Sequence, residues 1–476
     1  MLRPHLKALL LAAFCLTPIH LKAQNDDFPR GVLIERVACL RQPRQTYALY
    51  LPSTYSPQAP HPILYCFDPA ARGRVPVELF RDPAEERGYI VVGSNNSRNG
   101  PWGPIQEAIQ AIWDDTHVRF ALDPRRFYTT GMSGGGGPAW TLAGSGAAGT
   151  IISASVLDIT EEHLKNVSFV FFGTAGLADF NYPYVDRHTE ALLRLGKPAR
   201  FETFAGGHAW PPELLAFEAL KWLDLQAMKS GLKPQDDAFL DAELQRRRQQ
   251  AAGLEAEGKL WEAWMAWRYL ALDFAGLRDT GESEAKAAAL AREKKVRDRR
   301  KELADIARIQ EMRERELMQW AAILERPQAG TPALGEDRQE DFAGRAQAEL
   351  RRAISQLKKQ SERPIYDRER ILGQRLLDGF YIGSFYHARE LLDQKEYGPA
   401  AAVLEICLQV RPKAAGALFD LARAYAGRKD KRKALSSLEK AVEAGFKDAE
   451  GLRTTAEFEI LQKEERYQQL LSRLGQ

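Results

Sequence analysis

Five residues constrain the chain more than any others: Gly131-Met132-Ser133-Gly134-Gly135. Before them runs Arg126-Phe127-Tyr128-Thr129-Thr130, β-branched and aromatic, which predicts a buried strand. After them comes Pro138-Ala139-Trp140-Thr141-Leu142-Ala143, which predicts a helix with proline in its first turn. A serine between a strand and a helix, flanked by glycines, sits on a turn too sharp for ordinary side chains on either side. Its hydroxyl then stands clear of the sheet, where a second molecule can reach it.

The surrounding pattern says which sheet this is. Gln45 to Pro52 alternates like a strand and stops at proline. Pro62-Ile63-Leu64-Tyr65-Cys66-Phe67 and Tyr89-Ile90-Val91-Val92-Gly93 are continuous apolar runs, as expected of strands covered on both faces. Ile151 to Val156, Val167 to Gly173 and Ala199 to Phe204 repeat the pattern, with helical stretches between, such as Ile105 to Phe120, and a closing helix from Pro211 to Met228. Strands alternating with helices predict a doubly wound, mostly parallel α/β sheet, whose sites lie at the carboxyl ends of the strands.

Two loops fall at such ends. Asp179 lies in the stretch that follows Gly173, and His208 lies in Ala205-Gly206-Gly207-His208-Ala209-Trp210-Pro211-Pro212, directly after the last strand. Taken alone, Asp179 reads equally as a turn or cap residue, and a loop histidine as a solvated one. In the order Ser133, Asp179, His208 they form the sequence of a hydrolase triad on this kind of sheet.

Residues about 30 to 230 resemble the α/β-hydrolase superfamily, on the branch of secreted esterases similar to polyhydroxybutyrate depolymerases and feruloyl or acetylxylan esterases. The resemblance is carried by Asp123 to Gly135 and by Gly206-Gly207-His208-Ala209-Trp210-Pro211-Pro212. It implies Ser133 as nucleophile, His208 as general base and acid, and Asp179 as the group that orients His208. An oxyanion would be received by backbone N–H groups, one from Gly134 and a second from the turn after Phe67. Many relatives carry a His-Gly-Gly-type run in that turn. Here it reads Asp68-Pro69-Ala70-Ala71-Arg72-Gly73. Proline has no N–H, so Ala70 or Ala71 is expected to donate, with Asp68 turned away or paired with Arg72. The donor-rich loop Gly93 to Trp102 is expected to face substrate through Asn95, Asn96 and Trp102, with Trp210 on the facing loop; an ordinary Asn/Gly turn is the competing reading. His117, His163 and His188 show no metal spacing, and neither metal nor cofactor is expected.

Met1 to Ala23 has a basic start, a short apolar run from Ala8 to Leu16 and a small residue before Gln24, the pattern of a secretory signal. Export to the periplasm or beyond is therefore expected, with a soluble mature chain and no transmembrane segment. A formal net charge of +3 gives no reason to expect nucleic acid or an anionic membrane. Past the signal, Cys39, Cys66 and Cys407 are too few for a disulfide framework; Cys39 and Cys66 either pair or stay as buried thiols.

Composition changes at Lys233-Pro234. Asp236 to about Leu324 has helical spacing, Pro327 to Asp341 reads as a break, and helix resumes from Asp341 to Lys359. Near the end, Ala388 and Ala400 recur as Ala422 and Ala434, and Leu404 and Cys407 recur as Leu438 and Ala441. This 34-residue period resembles the tetratricopeptide pattern; Ala251 and Ala263 share its internal offset, marking a degenerate unit. The expected division is a signal at 1–23, a hydrolase at 24–232, a helical linker at 233–377 and tetratricopeptide-like repeats at 378–476. The expected function is an exported serine esterase acting on esters, including carbohydrate- or polymer-linked ones, with the repeats engaging a protein partner or the polymer. On that division, hydrolysis of a small ester needs only residues 24 to about 232. The alternatives are a serine peptidase or amidase on the same scaffold, and a non-catalytic binding scaffold.

Overall fold

The computed structural model describes residues 28–157, 159–325, 336–364 and 366–474, with side chains of the helix starting at Glu336 described from residue 344. The expected signal at 1–23, and residues 327–335 of the expected break, lie outside the described residues.

Eight strands form one sheet: β1 (Leu33–Ala38), β2 (Thr46–Tyr50), β3 (His61–Phe67), β4 (Ile90–Ser94), β5 (Leu122–Met132), β6 (Gly149–Ser153), β7 (Val170–Gly176) and β8 (Ala199–Phe204). Their order is β1-β2-β4-β3-β5-β6-β7-β8. From β3 to β8 all neighbours are parallel, and β2 is the reversed strand, antiparallel to both its neighbours, β1 and β4. This is the doubly wound, mostly parallel α/β sheet that the alternation predicts.

The continuous apolar strands have two cores to fill. Along β3, Ile63, Tyr65 and Phe67 point into one layer, against Ile112 of α2 (Trp102–Arg119), Ala139 of α3 (Gly136–Ala143) and Val185 of α5 (Tyr182–Arg194). Leu64 and Cys66 point the other way, against Val77 and Phe80 of α1 (Arg74–Arg87) and Trp222 of α6 (Glu213–Lys229). The period of two therefore survives inside a run that is apolar throughout, because both faces are covered. The short α4 (Glu161–Lys165) lies between β6 and β7. Cys39, Cys66 and Cys407 are buried free thiols.

The rest is helical: α7 (Asp237–Ala256), α8 (Leu260–Phe274), α9 (Gly281–Ala291), α10 (Lys294–Glu325), α11 (Glu336–Ser361), α12 (Arg368–Asp393), α13 (Tyr397–Val410), α14 (Ala415–Gly427), α15 (Lys431–Glu443), α16 (Ala449–Thr454) and α17 (Glu465–Leu474). Helix α11 begins inside the stretch expected to be a break, and the expected boundary at 377/378 falls in the interior of α12. The period-34 residues Ala388, Ala400, Ala422 and Ala434 are fully buried where neighbouring helices meet, which is why small side chains recur there. No helix among the described residues is long and apolar enough to cross a membrane.

The helical region is fastened to the sheet. Strand β8 is an edge, and an unpaired edge N–H needs a partner. Phe201 N–H donates to Tyr269 Oη of α8 at 3.0 Å. Asp273 of the same helix accepts from Arg200 of β8, from Trp222 of α6 and from Arg247 of α7, each at 2.7 Å. All four side chains are buried, so the charges neutralise one another out of water.

Candidate active site

Strand β5 ends at Met132, and residues Ser133–Gly135 make a single 3-10 turn leading into α3. Ser133 has φ of 52°, a left-handed conformation that a serine adopts only when its surroundings enforce it. The enforcement is close packing. A Cβ on Gly131 would stand 2.0 Å from Gly135 O, and one on Gly135 would stand 2.0 Å from Phe67 O. Only glycine at both positions lets strand, turn and helix approach so closely. Ser155 Oγ donates to Ser133 O at 2.6 Å and fixes the turn from below.

The two distant loops converge on that serine. His208 Nε2 lies 2.8 Å from Ser133 Oγ, and His208 Nδ1 lies 3.1 Å and 3.2 Å from the two carboxylate oxygens of Asp179. A carboxylate can only accept, so the Nδ1 proton points at Asp179 and Nε2 is left to accept from the serine hydroxyl. Asp179 is fully buried, and its Oδ1 also accepts from Asn181 N–H at 2.7 Å. Asn181 in turn donates to Ala154 O at 2.8 Å, tying the Asp179 loop to the end of β6. The Phe180 ring packs on the imidazole with centroids 4.3 Å apart. The arrangement can move a proton from a serine hydroxyl to an imidazole whose far side is held by a buried anion.

The other expected residues are placed differently. Gly134 is exposed beside the serine and is the second residue of the 3-10 turn, where its N–H has no helical carbonyl behind it. Ala70 is not free to receive an oxyanion: its N–H donates to Asp68 Oδ1 at 2.9 Å, and Ala71 N–H donates to Asp68 O at 3.0 Å. Asp68 is fully buried. Burial alone would raise its carboxyl, but Arg72 at 2.9 Å, the Trp210 indole N–H at 2.9 Å and Ala70 N–H together hold it below the usual aspartate range. Trp210 therefore braces Asp68 through its indole. Asn96 binds backbone of the β1–β2 hairpin through Thr46 N–H and Arg44 O, and Asn95 donates to Glu35 O, so both amides staple their loop to the hairpin backbone. Trp102 opens α2 and is 44% exposed.

Four residues not singled out by motif stand at the site. Asn99, from the same loop as Asn95 and Asn96, lies against Gly134. Its Nδ2 donates to Tyr386 Oη of α12 at 2.8 Å. Arg375, also of α12, donates twice to Leu177 O, at 2.9 Å and 2.7 Å, two residues before Asp179. Its guanidinium lies 4.2 Å from the centre of the Tyr182 ring, and burial lowers it to about 10. Gln310 of α10 donates to Phe180 O at 2.8 Å. The helical region thus reaches the loops on both sides of the serine.

No protein-family model matches the chain. No curated protein matches it either. Among solved structures it is similar to FphF, a fluorophosphonate-binding serine hydrolase of Staphylococcus aureus, at 16% identity and a TM-score of 0.34, over 41% of this chain and 99% of that one. It is similar to the S-formylglutathione hydrolase FrmB of the same organism, at 16% identity and a TM-score of 0.34, over 41% and 98%. It is also similar to esterase 2 of Thermogutta terrifontis, at 15% identity and a TM-score of 0.33, over 40% and 92%.

Proposed function

We propose that this chain is an exported serine hydrolase that cleaves carboxylic esters through an acyl-enzyme. The observation that carries the reading is the unbroken chain from Asp179 through His208 to Ser133, ending on a serine at φ of 52°. A serine hydroxyl becomes a competent nucleophile when a neutral imidazole takes its proton as it attacks. Ser133 Oγ bonds to the ester carbonyl carbon and its proton passes to His208 Nε2. The carbonyl oxygen becomes an oxyanion beside Gly134 N–H. Collapse expels the alkoxide, which takes the proton from His208. Water then repeats the sequence, releasing the acid and restoring Ser133. Asp179 stabilises the imidazolium in both halves.

Residues 1–23 are proposed as the export signal and 24–232 as the segment that holds the triad. The helical remainder, with its tetratricopeptide-like period at 378–476, is proposed to engage the alcohol or polymer side of the ester or a protein partner.

The test is hydrolysis of p-nitrophenyl butyrate by the full chain and by Ser133→Ala. The variant should lose about 10³-fold or more in kcat with its folding unchanged. A Ser133→Ala protein within about tenfold of the parent would overturn the reading.

A further inference from the structure

An oxyanion formed at Ser133 needs more than one donor, and Pro69, Ala70 and Ala71 of the loop after β3 do not supply the second. Pro69 has no N–H, and the N–H groups of Ala70 and Ala71 are taken by Asp68. Arg72 N–H also leans on Asp68 Oδ1, at 3.4 Å. This loop is wound around its own buried carboxylate.

On the other side of Gly134 stands Asn99. Its backbone N–H donates to Pro69 O at 2.8 Å, which pins it across from that loop. Its carboxamide lies directly on the residue after the nucleophile. A Cβ on Gly134 would stand 1.8 Å from Asn99 Oδ1 and 2.7 Å from Nδ2, so the contact exists only because residue 134 is glycine. A carboxamide nitrogen carries two hydrogens. One is spent on Tyr386 Oη at 2.8 Å, which leaves the second uncommitted by that bond.

We propose that Asn99 supplies the second oxyanion donor through its side-chain N–H, and that Tyr386 of α12 is the positioning residue that holds the carboxamide against Gly134. The site is then completed across the chain, with the nucleophile on the sheet and the brace of its oxyanion hole on a helix of the tail. This rests on the esterase reading above.

The test uses the full chain with Asn99→Ala, the isosteric Asn99→Asp and Tyr386→Phe. Measurements are kcat and KM on p-nitrophenyl butyrate, inhibition by an alkyl trifluoromethyl ketone, and labelling of Ser133 by a fluorophosphonate. Asn99→Ala and Asn99→Asp should lower kcat by about 10²- to 10³-fold with KM within about threefold, as removal of an oxyanion donor does. Affinity for the ketone, whose adduct carries the same oxyanion, should fall in parallel. Tyr386→Phe should lower kcat and ketone affinity by about three- to thirtyfold with KM unchanged, a split that mere loss of stability would not produce. Labelled Ser133 with kcat of both Asn99 variants within about threefold of the parent would overturn this proposal alone. A parent protein that takes no label at Ser133 would overturn the esterase reading and this proposal with it.

Discussion

Gly379 of α12 lies against Phe180, the residue that follows Asp179: a Cβ on Gly379 would stand 3.1 Å from Phe180 Cβ. The Phe180 ring rests in turn on His208. A helix of the tail therefore backs the residue that backs the imidazole. Gly379→Val should push Phe180 and the ring it supports, because a packed core yields by shifting neighbours and not by compressing. We expect kcat on p-nitrophenyl butyrate to fall at least about tenfold, since small displacements of a catalytic group are costly. Gly383, two positions beyond Tyr381 on the same helix, meets nothing within 4 Å, so Gly383→Ala should leave activity unchanged.

The same contacts change what truncation should do. Pattern alone divides the chain near residue 232 and assigns small-ester hydrolysis to the first part. Cutting there removes Asp273, which neutralises buried Arg200, and Tyr269, which closes the β8 edge. It also removes Gln310, Arg375 and Tyr386 from the loops around Ser133. A chain ending at Gly231 is expected to aggregate, or to stay soluble with kcat down by about 10²-fold or more. Light scattering and ester hydrolysis on the same preparation check this. A soluble truncation with full activity would show that the tail contacts are dispensable.

Much of the sheet is legible in the sequence because its causes are local. Doubly covered β3 and β4 read as unbroken apolar runs, and the elbow announces itself by glycines that no other residue can replace. Strand β1 is hidden, since an edge strand with Glu35 and Arg36 exposed lacks an apolar signature. Helix α1 is hidden by Pro76 and Pro83, which speak against a helix although both are buried in one. The loop Asn residues are indistinguishable by type: Asn95 and Asn96 bind backbone, whereas Asn99 faces Gly134, and only the fold separates them. The role of α12 is invisible because an apolar stripe says that a helix is covered and never by what. The Asp68-Pro69 turn signals a departure from related sequences, but where its carboxylate goes depends on Trp210, far along the chain.

A pH signature is expected where the tail meets α5. Asp186 is pushed up to about 6, chiefly by burial and further by Glu190, against the pull of Arg268, Arg375 and Arg187. An unfolded aspartate titrates near about 3.9. Between these values the folded chain holds a proton that the unfolded chain has released. Stability therefore falls as pH rises from about 4 to about 6, and the cost is full above that. Asp186→Asn should raise stability at pH 7 by about 1–3 kcal/mol and leave it nearly unchanged at pH 3. Denaturant unfolding of parent and variant at both pH values checks the sign. A variant less stable at pH 7 than the parent would mean that the arginines dominate.

The central claim is that Ser133 is an activated nucleophile, and covalent labelling tests it without knowledge of the natural ester. A fluorophosphonate phosphonylates only a serine whose proton is taken as it attacks, with fluoride leaving. Incubation of the full chain followed by digestion and mass spectrometry should place one adduct on Ser133. Ser133→Ala should take none, and His208→Ala should react at least about 10³-fold more slowly. An adduct on a different serine, or an unmodified Ser133 in a folded parent chain, would contradict the account.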